Sequence, residues 1–160
     1  MCYNLISDRS PKLESLMQKA FTILLVEDDI QDALLVQQAL KEGAIRNPVQ
    51  VVRNGQEAID YLEGKGPYAD RRGYPIPRIA VCDINMPKVN GFELLRWLRS
   101  ESDVRRLPVV MMSSSNRVED INRAYDLGVN AYLVKPRNFD EMVDVLNKLV
   151  QFWSVTLVNP

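Results

Sequence analysis

Five short apolar runs, set apart by stretches of helical spacing, constrain what this chain can fold into more than any other feature. They lie at Phe21–Val26, Val49–Val52, Ile79–Cys82, Val109–Met112 and Ala131–Val134. Runs this short, with little polar alternation, suit strands covered on both faces, as in a parallel sheet. Between and after them apolar residues recur at helical spacing, at Leu34/Leu35–Leu40, Ala58–Leu62, Phe92–Leu98, Ile121–Leu127 and Met142–Trp153. Strands alternating with helices predict an α/β domain whose sheet is parallel and carries helices on both faces.

The helix starts repeat one signal. Asn54-x-x-Glu57, Asn90-x-x-Glu93, Asn116-x-x-Glu119 and Asn138-x-x-Glu141 each place a capping asparagine three residues before a glutamate. The amide oxygen can accept from an orphan helix N–H, and the glutamate can return to the cap amide. The second to fifth helices are therefore expected to begin at these positions. Asn54-Gly55 and Asn90-Gly91 could also be hairpin turns, but a helical stripe follows each. Gly43 and Gly128 fall where the first and fourth helices should stop. The segment Gly64–Arg78, with Pro67, Pro75 and Pro77, is long for a helix-to-strand connection and reads as a surface insertion.

Composition narrows the chemistry. The 160 residues hold 20 basic and 21 acidic side chains, a balance that argues against coating nucleic acid or an anionic membrane. No apolar run is long enough to span a bilayer, and the first twenty residues hold no signal-peptide core. Cys2 and Cys82 cannot make a disulfide framework, which fits a reducing, cytoplasmic setting. The sequence contains no histidine at all. Histidine general bases, Ser-His-Asp chemistry, most zinc sites and a phosphohistidine carrier are thereby excluded.

Ligands of an open parallel sheet bind beyond the carboxyl ends of its strands. There the chain places Glu27, Asp28 and Asp29 after the first run, Asp83, Asn85 and Pro87 after the third, Ser113, Ser114 and Ser115 after the fourth, and Lys135-Pro136 after the fifth. Any one of these is an ordinary cap or turn residue; their joint order is not. Two carboxylates ~4 Å apart repel by about 4 kcal/mol at an effective dielectric near 20. A hard divalent cation with oxygen ligands, Mg²⁺ or Mn²⁺, would relieve that cost. A carboxylate beside such a metal, a lysine and a hydroxyl can form an aspartyl phosphate.

At these residues the sequence resembles the receiver domain of two-component response regulators. The matching stretches are ILLVEDD (Ile23–Asp29), CDINMPKVNGFELL (Cys82–Leu95), PVVMMSSS (Pro108–Ser115) and GVNAYLVKP (Gly128–Pro136). The resemblance implies a flavodoxin-like doubly wound sheet of five parallel strands in the order 2-1-3-4-5, spanning residues 21–153 between an arm (1–20) and a tail (154–160). The arm is expected to be disordered or helical, and Met17 is an alternative start. The resemblance makes Asp83 the phosphoacceptor and Glu27, Asp28, Asp83 and the Asn85 backbone carbonyl the Mg²⁺ ligands. Ser113 becomes the hydroxyl that turns toward the phosphoryl group, Lys135 its cationic partner, and Tyr132 the aromatic that reports the state to the face of the fourth helix, fifth strand and fifth helix. The Lys135–Pro136 bond is expected to be cis. Asn90 stands where many members carry Asp, and Ser113 where Thr is commoner.

The expected partner is a sensor histidine kinase, with a downstream protein target and no nucleic acid or membrane. The stretch Val150–Pro160 is too short for an output domain, so unless the chain is truncated at Pro160 a stand-alone receiver whose output is a protein contact is expected. In that helix Met142, Val145, Leu146, Leu149 and Trp153 read as the core stripe. Val143, Val150, Phe152 and Trp153 read as a docking or homodimer surface, with Trp97 a weaker contact candidate. The Gly64–Arg78 insertion, the Arg53–Ala58 helix start and the Phe152-Trp153 ending resemble the single-domain regulators paired with bacterial phytochromes. Three alternatives stand beside this reading. A degenerate receiver would bind proteins without phosphorylation. A haloacid-dehalogenase-like phosphohydrolase needs a second Asp where Asn85 stands, and a flavodoxin-type cofactor binder needs a phosphate loop where three acids stand.

Overall fold

The computed structural model describes residues 21–43 and 45–155; the arm at 1–20 and the end of the tail lie outside them. Five strands, β1 (Ile23–Val26), β2 (Val49–Val52), β3 (Ile79–Cys82), β4 (Val109–Ser113) and β5 (Ala131–Val134), alternate with helices α1 (Ile30–Glu42), α2 (Gly55–Glu63), α3 (Gly91–Ser100), α4 (Val118–Asp126) and α5 (Phe139–Val155). The strands form one parallel sheet in the order β2-β1-β3-β4-β5, with Val26 level with Val52 and Cys82. The fold is the expected doubly wound one.

Period-two alternation within the strands divides the interior. Leu24, Val26, Ala80, Cys82, Val109 and Met111 face one side and pack with Ala58, Tyr61, Leu95, Leu98 and Ala124 of α2, α3 and α4. Ile23, Leu25, Ile79, Val81, Val110 and Met112 face the other and pack with Val36, Leu40, Met142 and Leu146 of α1 and α5. The central strands β1, β3 and β4 are buried along their whole length, which is why they carry no polar alternation. The edge strand β5 is only half covered.

The caps hold at three of the four asparagines. Asn90 and Glu93 form a full capping box, and Asn54 and Asn138 accept from the N–H groups of Glu57 and Glu141 at 2.9 Å. Asn116 does not cap α4. The N-cap falls one residue later, at Arg117, and Ser115 organises this turn: its hydroxyl donates to Asp120 Oδ2 at 2.6 Å and accepts from the Arg117 N–H. The insertion is on the surface but tied down. Tyr68 and Tyr74 pack around the buried Tyr61, and Arg71 donates to the Tyr61 and Leu62 carbonyls that end α2.

The α5 reading needs correction. Val150 is 5% exposed and belongs to the core with Met142 and Leu146, and Val143 packs against the same cluster. α5 packs against α1 as well as the sheet, so Val143 and Val150 also meet the core, while Val145 is half-buried. Trp153 is half-buried on that cluster and Trp97 on the other. Of the predicted surface residues, Phe152 alone is largely exposed, at 59%.

Candidate functional site at the carboxyl edge of the sheet

Each candidate side chain follows directly from the end of a strand. β1 delivers Glu27 and Asp28, β3 delivers Asp83, β4 ends on Ser113, and β5 is followed by Lys135. One carboxylate oxygen from each of Glu27, Asp28 and Asp83 lies within 4.8 Å of the other two. Into this group reaches Lys135, whose Nζ lies 3.0 Å from Glu27 Oε2 and 3.4 Å from Asp83 Oδ2. A third contact is the shortest: Asp32 Oδ2, on the first turn of α1, stands 2.8 Å from the same nitrogen.

The electrostatics are those of a crowded, partly dry site. Burial pushes the Glu27 carboxyl up, against the pull of Lys135, and the Asp83 charge adds to the rise. Burial alone would pull the Lys135 ammonium down. The hydrogen bonds to Asp32 and Glu27 and the charge of Asp83 outweigh it and hold lysine above its ordinary range. The second Glu27 oxygen accepts from the Asp29 N–H at 3.1 Å. Asp83 Oδ1 accepts from the Ile84 N–H at 2.7 Å, which fixes the carboxylate plane.

The loop after β3 is held by backbone contact. The Gly91 N–H donates to the Ile84 carbonyl, and a Cβ at Gly91 would overlap the Asp83 carbonyl oxygen. The Gly55 N–H donates to the Val89 carbonyl, where a Cβ would overlap as well. Lys88, at φ 64°, makes the turn between these two contacts. The buried Cys82 thiol, pushed up by burial, donates to the Asp83 carbonyl. Asn85 is exposed on this loop.

Across the site, Ser113 is fully buried and its hydroxyl accepts from the Ser115 N–H at 3.2 Å. Tyr132, half-buried on β5, donates to the Ser115 carbonyl at 2.9 Å. Ser115 thus joins Ser113, Tyr132 and the first turn of α4. The Lys135–Pro136 bond is trans, for no cis peptide occurs among the described residues. The trans form is the intrinsically favoured one, and with it the Lys135 N–H still reaches the Ser113 carbonyl at 2.8 Å.

Sequence reasoning missed Asp32. An acid in a first helical turn looks like a dipole decoration, and its partner Lys135 is 103 residues away. It also missed the two glycines as spacers, since each sits inside a capping signature.

The donor set fits a hard cation. Three carboxylates converge with one ammonium, which leaves an excess of negative charge for a divalent ion with oxygen ligands to balance. Sheet order, acidic group and opposed lysine together define a class. Residues 23–147 match the family described as the response regulator receiver domain, and the chain belongs to that family.

Several relatives match this chain along nearly their whole length. The response regulator Rcp1 of Synechocystis is 35% identical over 138 residues, covering 86% of this chain and 92% of Rcp1. The Mn²⁺-bound form of Rcp1 superposes with a TM-score of 0.75, at 34% identity over 88% of this chain and 99% of that one. RPA3017, a response regulator in red light signalling of R. palustris, gives 0.81 at 36% identity, over 87% and 97%. The phosphorylated cyanobacterial phytochrome response regulator RcpA gives 0.79 at 35%, over 89% and 99%. Among the described residues no helix is long and apolar enough to cross a membrane.

Proposed function

We propose that this chain is a phosphorylation-operated receiver, with Asp83 as phosphoacceptor and residues 21–153 as the working domain. The observation that carries this is the convergence of Asp83, Glu27 and Asp28 within 4.8 Å, opposed by Lys135. Glu27, Asp28, Asp83 and the Asn85 backbone carbonyl would hold Mg²⁺, with Mn²⁺ able to substitute. Bound there, the metal supplies positive charge to the phosphoryl oxygens and offsets carboxylate repulsion.

The donor is a phosphohistidine on another chain, since this one has no histidine. An Asp83 carboxylate oxygen attacks phosphorus in line, its O–P bond forms as the donor's P–N bond breaks, and the imidazole takes a proton from water. The Ile84 N–H keeps the carboxylate oriented for that attack. Lys135 supplies the point charge that meets a phosphoryl oxygen. The Ser113 hydroxyl then turns from the Ser115 N–H to donate to the phosphoryl group. Tyr132, bonded to the Ser115 carbonyl, shifts with that loop and alters the face made by α4, β5 and α5. Water finally attacks phosphorus, restoring the Asp83 carboxylate and releasing inorganic phosphate.

The likeness to RcpA and RPA3017 supports a phytochrome-type histidine kinase as donor. Exposed Phe152 and Val155 at the end of α5 support a homodimer contact at that end. The test is acetyl phosphate labelling: wild type takes up phosphate in a Mg²⁺-dependent manner and Asp83→Asn takes up none. Undiminished labelling of that variant would overturn the assignment. A phosphotransfer screen against the histidine kinases of the same organism identifies the donor.

A further inference from the structure

Asp32 stands outside the group that would hold the metal, yet it makes the shortest of the three contacts to Lys135, 2.8 Å against 3.0 Å for Glu27 and 3.4 Å for Asp83. An ammonium has three N–H donors, so these carboxylates commit all of them. The Asp32 backbone is fixed by the N-cap, its N–H donating to Asp29 Oδ1 at 2.9 Å. Its carboxylate is not spent on a capping box, because the Asp29 N–H is taken by Glu27 Oε1. It is free to point across from α1 to the end of β5. The side chain is 45% exposed, whereas that of Lys135 is 14% exposed and that of Glu27 3%. Of the three acids, Asp32 can therefore return to water at least cost when its partner leaves.

We infer that Asp32 is a positioning residue that holds the Lys135 ammonium toward α1 in the resting protein and releases it to the incoming phosphoryl group. The inference rests on the reading of Asp83 as phosphoacceptor. Before transfer, the lysine leans on Asp32 and makes only its longest contact with Asp83. On transfer, a phosphoryl oxygen accepts the Nζ–H hydrogen bond that Asp32 had accepted, and the freed carboxylate is rehydrated. Asp32 competes with the phosphoryl group for one donor, so it weakens the hold on that group without touching it.

The experiment titrates Mg²⁺-saturated full-length protein with beryllofluoride, a phosphoryl mimic, by calorimetry. Asp32→Asn is expected to bind beryllofluoride about two- to fivefold more tightly than wild type, the coupling of a half-exposed ion pair. Its Mg²⁺ affinity, measured alone, should change far less than that. In a Lys135→Gln background the same substitution should give no tightening, a result that a purely structural role for Asp32 does not produce. Asp32→Glu should return affinity toward the wild-type value. Unchanged or weaker beryllofluoride binding by Asp32→Asn, or equal tightening with and without Lys135, overturns the inference. Failure of the wild type itself to bind beryllofluoride would instead refute the underlying phosphoacceptor reading.

Discussion

Replacing Asp28 by asparagine removes one charge from the acidic group while leaving every ion pair of Lys135 in place, since that lysine contacts Glu27, Asp32 and Asp83. The carboxylate oxygens of Glu27, Asp28 and Asp83 lie within 4.8 Å of one another, so Asp28 repels two neighbours. At an effective dielectric near 20 each repulsion is about 3.5 kcal/mol, and water at the open rim reduces it to about 1–2 kcal/mol. Part of the remainder is offset by the lost attraction between Asp28 and Lys135. The metal-free variant is therefore expected to be about 1–2 kcal/mol more stable than wild type, roughly 3–8 °C in Tm for a domain of this size. Urea unfolding in EDTA, followed by far-UV circular dichroism, reads this directly. Added Mg²⁺ should reverse the ranking, because a ligand at about a hundredfold its Kd contributes roughly 2.7 kcal/mol to the protein that binds it. A variant less stable than wild type in EDTA would refute the repulsion argument. An unchanged Mg²⁺ response would refute the placement of Asp28 in the metal group.

Two further substitutions test the scaffold. Gly91→Ala drives a Cβ into the Asp83 carbonyl and within 2.9 Å of Ile84 Cα, so it should cost about 1–3 kcal/mol by urea unfolding and slow acetyl phosphate labelling as Asp83 is displaced. Arg99→Lys removes a guanidinium that donates to the carbonyls of Gly128, Arg105 and Leu107 and to Asn130 Oδ1. A single ammonium cannot span that set, so about 2–3 kcal/mol should be lost with labelling of Asp83 unchanged.

The strands were legible because the central three are buried on both faces and so carry continuous apolar runs. The candidate site was legible because a parallel sheet collects its strand ends on one edge, which put Glu27, Asp28 and Asp83 beside one another and within reach of Lys135. What the sequence hid depends on neighbours distant along the chain. Asn116 carries the same signature as Asn90, but Ser115 takes over its turn with a hydroxyl bonded at once to Asp120 and the Arg117 N–H. α5 offers two stripes of similar apolarity, and only the presence of α1 beside it decides that Val150 goes inside. Asp32 is indistinguishable from a first-turn acid until β5 brings Lys135 across the sheet edge.

These contacts divide the rim of the candidate site into two halves that are held in different ways. The loop carrying Asp83 is fixed by backbone touching backbone, through Gly91 on Ile84 and Gly55 on Val89, with no side chain between that could rearrange. Opposite, the loop after β4 is fixed by hydroxyls: Ser113 to Ser115, Ser115 to Asp120, and Tyr132 to the Ser115 carbonyl. Hydroxyls rotate about one bond and can exchange partners, whereas a glycine seated against a carbonyl cannot move without shifting a helix. α4, which follows the second loop, buries only Ala124 of its own residues, with Arg123 resting on the Phe92 ring of α3. On the proposed function, a charge added at Asp83 would be held still on one side and would meet an adjustable network on the other. The least anchored helix lies at the end of that network, so such a charge would have one easy direction in which to become a change in shape.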